Sequence, residues 1–392
     1  MQRELEQLCN LNSGSENVAG LDAVADHLEN LFSDLGVACK RYSLEDRALM
    51  DDHARHKTIA TGPALQWCSP SQADRSVLLA IHYDTVYGLE SSFQYCSLLE
   101  DDRLLNGPGV IDAKGGIITL RWAIKAGLQF GLLDGVHWSI FLNPDEEVGS
   151  PSSYPIWKEL AGKFDFAMLF EPTLADGSLV DTRKGTGNFT WVIRGKSAHS
   201  GRNFSEGRNA LVHAARLADH LDRLNGQCVG VTINVGRIRS GDALNVVPDL
   251  AILRVNVRVE NGDQQQWVEQ QMHKATAAFH IPANHFHCLL EGGIHAPPKV
   301  VDAATAKLMK HVEVCGAQLG EIIRWRRSGG ASDGNKTAAL GLPTIDTFGP
   351  EGDCLHSPNE WVRLSSLPRK AAFALNVVAQ FAADTNSPLR RR

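Results

Sequence analysis

Four short apolar runs constrain the fold of this chain more than anything else in it. They are VLLAIHYDTV from Val77, WSIFLNPDEE over 138–147, FAMLFEPT over 166–173 and LPTIDTFG over 342–349. VLLAI and FAMLF are apolar at every position and the other two are largely so, and each runs into polar residues, as in strands covered on both faces. Between the first two lies GGIITLRWAIKAGLQFG, a helical pattern with glycine at both ends. Strands alternating with helices build an α/β fold around a largely parallel sheet. The opening stretch, Glu4 to Leu35, reads as two short helices around NLNSGSEN. Ala371 to Ala383, broken by Asn376 and Gln380, reads as a buried amphipathic helix.

From about Lys184 to Gly293 the rhythm changes. FTWVIRG reads as a strand, ALVHAARLADHLDRL as a helix, GVTINVGRI and LAILRVNVRV as two strands, QQQWVEQQMHKATAAF as a helix and HFHCLLEG as a last strand. The order β-α-β-β-α-β is the ferredoxin-like unit. We therefore expect a catalytic domain in two pieces, 1–183 and 294–392, interrupted by an α+β domain at 184–293. Linkers are expected near Thr182–Gly187 and Gly292–Pro298, both rich in Gly, Pro or polar residues. A length of 392 residues suits two or three domains of about 150 residues each.

Composition removes several classes. Lys plus Arg number 39 against 45 Asp plus Glu, a net charge of −6 that lacks the basic excess of a nucleic-acid binder. The eight cysteines are scattered without a CxxC pair, so neither a disulfide scaffold nor a zinc ribbon is indicated. No apolar run approaches the ~18 residues of a membrane span, and the opening MQRELEQLCN has no secretory apolar core. The expectation is a soluble, reduced, cytoplasmic protein with no nucleic-acid or membrane partner.

The chemistry gathers where the strands end. His82 and Asp84 follow VLLAI two residues apart, which puts them on one face of a strand. Glu146 and Glu147 follow WSIFLNPD, Glu171 follows FAMLF, and LPTIDTFGPEGDCL runs into His356. Asp112 sits in NGPGVIDAKGG, just before a helix. Singly, each has an ordinary role: a hydrogen-bonded His, a Glu pair at a helix start, an Asp cap. Jointly they crowd one sheet edge, the place where open α/β sheets bind ligands. Several carboxylates and two imidazoles packed together are costly unless a cation lies among them, and zinc or a similar ion suits that donor set.

HYDTV, GPGVIDAKGG, NPDEEVGS, FEPT, GKSAHSG, GGASDGN and LHSPNE together resemble metallopeptidase family M20, particularly its carboxypeptidase G2-like (glutamate carboxypeptidase) members. The resemblance covers nearly the whole chain, in order and around an inserted lid and dimerisation domain. It implies two zinc ions per chain bridged by Asp112, with His82 and Glu171 completing one site and Glu147 and His356 the other. Asp84 would orient His82, and Glu146 would be the general base and acid. His199, in GKSAHSG, would reach the partner subunit's site in a homodimer and stabilise the oxyanion. Arg258 and Asn245 would hold the substrate's carboxylate and nearby polar groups, and Gly330 and Ser332 would line the pocket. The implied reaction is hydrolysis of a small peptide or N-acyl amino acid that releases an amino acid with a free carboxylate. Aminoacylase or N-acyl-amino-acid deacetylase activity is the alternative on the same site.

One departure concerns substrate. Glutamate-specific members carry a basic residue near the position of Gly293, where this chain has LLEGGIHAPP; Lys184, or Arg324, Arg326 and Arg327, could supply the charge instead. Two motifs compete with the metal reading. Gly330-Ala-Ser332-Asp-Gly334 is a formal G-x-S-x-G nucleophile elbow, followed by Asp346, Asp353 and His356 in the order a serine hydrolase could use. That reading leaves His82, Asp84, Asp112, Glu146, Glu147 and Glu171 without a role. His285 and His287 in FHIPANHFHC could share a strand face and a metal, although no carboxylate or Cys pattern accompanies them. A non-catalytic metal-binding scaffold is disfavoured because a structural site needs no free carboxylate such as Glu146.

Overall fold

The four apolar runs lie side by side. In a computed structural model, which describes residues 1–100 and 103–390, His137–Asn143, Ser76–His82, Phe166–Leu169 and Thr344–Ile345 form a parallel block in that spatial order. Their side chains explain the unbroken apolar sequence. Val77, Leu79 and Ile81 enter one core with Phe166 and Met168, while Leu78 and Ala80 enter a second with Ala167 and Leu169. The first core is closed by Lys114–Gln129 and Ser366–Ala383, the second by Tyr154–Ala161. Each large apolar side chain buried this way contributes about 1.5–3 kcal/mol. The opening helices are Gln2–Cys9 and Val18–Phe32, the second longer than the sequence suggests. Two antiparallel strands not evident from the sequence, Ala64–Cys68 and Cys39–Tyr42, extend the sheet beyond His137–Asn143.

The middle of the chain forms a separate antiparallel sheet in the order Thr232–Ser240, Leu250–Val259, Gly185–Arg194, His287–Ala296. Helices Ala210–Asp222 and Gly262–Phe279 complete it around Trp191, Leu217, Leu253 and Met272. Asn209 and Asn261 cap the two helices, accepting from the N–H groups of Val212 and Gln264.

The segments expected to be linkers are paired strands. Leu179–Arg183 runs parallel to Trp325–Ser328, and the last strand of the inserted sheet continues past Gly293 to Ala296. Glycine serves close pairing here: a Cβ at Gly187 would stand 2.8 Å from the Gly293 carbonyl oxygen. A hairpin, Arg47–Met50 with His56–Ile59, reaches the inserted sheet, where Asp52 pairs with Arg237, Arg239 and Arg254. No helix among the described residues is long and apolar enough to cross a membrane.

Candidate metal centre

The carboxyl ends of the parallel strands bring five of the expected side chains together. His82, the last residue of its strand, places Nε2 3.1 Å from Asp112 Oδ1. His356, in left-handed backbone at φ 60°, places Nε2 3.2 Å from Asp112 Oδ2 and 3.3 Å from Glu147 Oε2. Asp112 therefore presents one oxygen to each imidazole. Glu171 Oε2 lies 3.9 Å from His82 Nε2, on the Asp112 Oδ1 side. A ligand atom from each of His82, Asp112 and Glu147 falls within 4.8 Å of the others, the one such cluster among the described residues.

A second layer holds this cluster. Asp84 is fully buried; its carboxylate accepts from the N–H groups of Glu146 at 3.1 Å and Glu147 at 3.2 Å, and from the Ser15 hydroxyl at 2.7 Å. Its Oδ1 also lies 3.2 Å from His82 Nδ1, so one side chain orients both the imidazole and the Glu146–Val148 turn. Glu360 Oε1 accepts from the N–H groups of Ile111 and Asp112 at 3.0 and 3.2 Å, while the Tyr87 hydroxyl donates to Oε2 at 2.6 Å. A cis peptide joins Asp112 to Ala113.

The electrostatics fit a cation. Burial, with Asp112 nearby, pushes Glu147 up to about 7, and burial pushes Glu171 up to about 8. Burial, followed by Glu171, Asp333 and Glu147, raises Glu146 well above the usual carboxylate range. Hydrogen bonds to Asp112 and Glu147 raise His356 to about 10. Burial opposes charge on His82 and Asp112, but their contacts, with Asp84 and His356, overcome it: His82 is raised and Asp112 lowered. Protonated imidazoles thus stand among the carboxylates where positive charge is demanded. Glu147 Oε1 is buried with no hydrogen-bond donor among the described residues, an acceptor a divalent ion would satisfy.

Two cavities open from the cluster. The first, about 370 Å³, reaches from Glu146 and Glu171 to Arg258 and His295 on the inserted sheet. The second, about 260 Å³, shares Asp112, Glu171 and His356 and extends to Leu174, Val180 and Arg183. Gly330 and Ser332 line both. His199 and Asn245 line neither: both are exposed on the ribbon of Ala198–His199 with Val246–Val247, where the Ser200 N–H bonds the Asn245 carbonyl. His199 Nδ1 accepts from the N–H groups of Gly201 and Arg202, which leaves its proton on Nε2.

The competing motifs dissolve in this geometry. Ser332 caps helix Asp333–Ala339: its Oγ accepts from the Gly334 N–H and donates to Asp346 at 3.0 Å, and Asn335 Oδ1 returns a bond to the Ser332 N–H. His356, the base that a serine nucleophile would require, is engaged by Asp112 and Glu147 instead. His285 lies in a turn before the strand that begins at His287, and no metal-type cluster forms there among the described residues. Nor do the cations proposed to replace a basic residue near Gly293 reach the cavities: Lys184 pairs with Glu260 and Arg326 with Asp176, and Arg324 and Arg327 line neither space.

Sequence reasoning missed Ser15, Glu360, Arg183, His295 and Lys336. Lys336 was the most accessible, since it follows Asp333 by three residues on the helix that GGASDGN starts; its Nζ lies 2.6 Å from Asp333 Oδ1. The others reach the site only through tertiary packing.

The profile of Peptidase family M20/M25/M40 matches residues 78–380. Carboxypeptidase G2 of Pseudomonas sp. (strain RS-16) is 26% identical over 393 residues, covering 97% of this chain and 89% of that protein. The fold matches an M20 family metallo-carboxypeptidase from Sulfolobus solfataricus at a TM-score of 0.75, with 17% identity and coverage of 97% and 99% of the two chains. It also matches a dinuclear metal-binding M20 peptidase from Bacillus subtilis at a TM-score of 0.65, with 13% identity and 97% coverage of each chain.

Proposed function

From its membership of peptidase family M20/M25/M40, which makes this chain a metal-dependent hydrolase, we propose that it binds two zinc ions and hydrolyses an amide or peptide bond, releasing an amino acid with a free carboxylate. The observation that carries the reading is Asp112, whose two oxygens face His82 on one side and His356 on the other. In this reading His82, Asp112 and Glu171 hold one ion, and Asp112, Glu147 and His356 the other. When bound, such ions would acidify water and polarise the scissile carbonyl.

The remaining work falls to the chain's own side chains. Arg258 lies in the larger cavity with its Nε donating to Asn256 Oδ1, and its planar fork suits the substrate carboxylate. That contact sets the scissile bond against Glu146. Burial among other carboxylates raises Glu146 above the usual carboxylate range, which makes its carboxylate the stronger base; it takes a proton from the attacking water and returns it to the departing amine. Asp84 keeps Glu146 in place through the backbone. His199 and Asn245, exposed and outside the cavities, act on the partner's site in a homodimer.

A reducing, cytoplasmic setting accords with eight free cysteines. An N-acyl amino acid rather than a peptide is the second reading, supported by the smaller cavity, which Leu174, Val180 and Leu355 border. The test is Glu146→Gln. Amino-acid release should fall about 10²- to 10⁴-fold while zinc per chain stays at the wild-type value. Undiminished release would overturn the role of Glu146, and no release from wild-type, metal-loaded protein would overturn the activity.

A further inference from the structure

The charge balance of the larger cavity limits what the departing amino acid can carry. Its lining away from the metal-binding edge includes Thr186, Asn188, Arg258, His295 and Lys336. Lys336 is committed, since its buried Nζ donates to Asp333 Oδ1 at 2.6 Å and Ser150 Oγ at 2.9 Å. Arg258 is not: its Nε meets only the neutral Asn256 amide, and no carboxylate among the described residues pairs with it. Arg183 borders the other cavity and is spent on Asp346 and the Gly330 carbonyl. Among the described residues, the larger cavity thus offers one uncommitted cation, enough for one carboxylate.

His295 decides whether a second carboxylate could be met. It is half-buried on the last strand of the inserted sheet, its ring against Gly149. A Cβ at Gly149, whose φ is 91°, would stand 3.3 Å from His295 Cδ2. Burial, and then Lys336 and Arg258, lower its pKa to about 4, so near pH 7 the ring is neutral. The lining beside it, Thr186 and Asn188, is polar and uncharged.

Resting on the proposed amide hydrolysis, we infer that this cavity takes a departing amino acid with an uncharged, hydrogen-bonding side chain, and that His295 is the specificity-determining residue that disfavours a side-chain carboxylate. The α-carboxylate takes Arg258. A side-chain amide or hydroxyl finds partners in Thr186, Asn188 and the neutral ring, whereas a second carboxylate is desolvated without a counter-charge.

Isosteric pairs isolate this effect. The zinc-loaded full-length protein is given N-acetylglutamine against N-acetylglutamate and N-acetylasparagine against N-acetylaspartate, and amino-acid release is followed at pH 7.5. We expect kcat/KM to favour each amide over its acid by about 10- to 100-fold. His295→Lys, which adds the missing cation, should shrink or reverse the ratio mainly through a lower KM for the acids; the neutral His295→Gln should preserve it. A wild-type preference for the acids, or a lysine variant that changes both members of a pair by the same factor, would overturn the inference. Release from no member, even with full zinc content, would instead overturn the hydrolase reading on which it rests.

Discussion

Replacing Asp346 by Asn removes the negative charge from a buried site that holds two cations. Asp346 is fully buried; Arg183 Nε donates to Oδ2 at 2.7 Å, Lys299 Nζ to Oδ1 at 3.0 Å and Ser332 Oγ to Oδ2 at 3.0 Å. The amide keeps the shape but turns an NH2 group toward one of the cations, leaving buried charge uncompensated. Removing one partner of such an arrangement costs about 3–5 kcal/mol. Acid removes the same charge reversibly. Burial alone would raise the Asp346 pKa, but Arg183 and Lys299 overcome it and hold the group at about 2, below the ~3.9 of an unfolded chain. A carboxylate depressed on folding stabilises fully above its unfolded pKa and loses that contribution as pH falls through the folded value. Wild type should therefore surrender about 1 kcal/mol of this contribution by pH 3 and about 2 kcal/mol by pH 2, and Asp346→Asn none of it. Urea unfolding of both proteins at pH 7, 5, 3 and 2 should show a large gap at neutral pH that narrows in acid. Equal stability at pH 7, or a gap unchanged from pH 7 to 2, would refute the argument.

Three further outcomes follow from the same structure. Asp84→Ala frees His82 and the Glu146–Val148 turn together, so zinc affinity should fall about 10- to 100-fold; competition with a chromophoric chelator measures it, and unchanged affinity would remove Asp84 from the site. At pH 7 the metal-free His356, held up to about 10, must shed its proton to act as a ligand. Zinc binding should therefore release protons and strengthen from pH 6 to 8. Calorimetry in two buffers of different ionisation heat detects this, and identical heats would contradict it. Ser332→Ala loses a helix cap worth about 1 kcal/mol but should retain chelator-sensitive release; covalent labelling of wild type at Ser332 by a serine-directed inhibitor would count against that.

The parallel block was legible because its strands are buried on both faces. Val77 to Ile81 must then be apolar at every position, and no amphipathic alternation competes with that signal. Ala64–Cys68 and Cys39–Tyr42 carry no comparable run: Gln66 and Ser139 share a buried hydrogen bond, and Lys40 and Arg41 are exposed, so polar residues hide the strands. The two linker segments are paired strands because the glycines that suggest loops permit close strand pairing at Gly187 and Gly292. The cluster of His82, Asp112, Glu147, Glu171 and His356 was legible as a cluster because several titratable side chains at strand ends have few structural uses together. His295 gave no such sign; nothing local distinguishes it from any strand histidine until the inserted sheet is laid over Gly149. Glu360 and Ser15 likewise act through contacts hundreds or tens of residues away, to the Asp112 backbone and to Asp84.

The central claim is that the His82–Asp112–His356 edge is a metal centre that performs amide hydrolysis. Its most direct test is amino-acid release from a panel of N-acyl amino acids and dipeptides, using one protein preparation untreated, stripped with chelator, and stripped then restored with zinc, with zinc content measured at each stage. The account predicts release that disappears as zinc is removed and returns when about two ions per chain are restored. Full release from protein shown to contain no metal would contradict it.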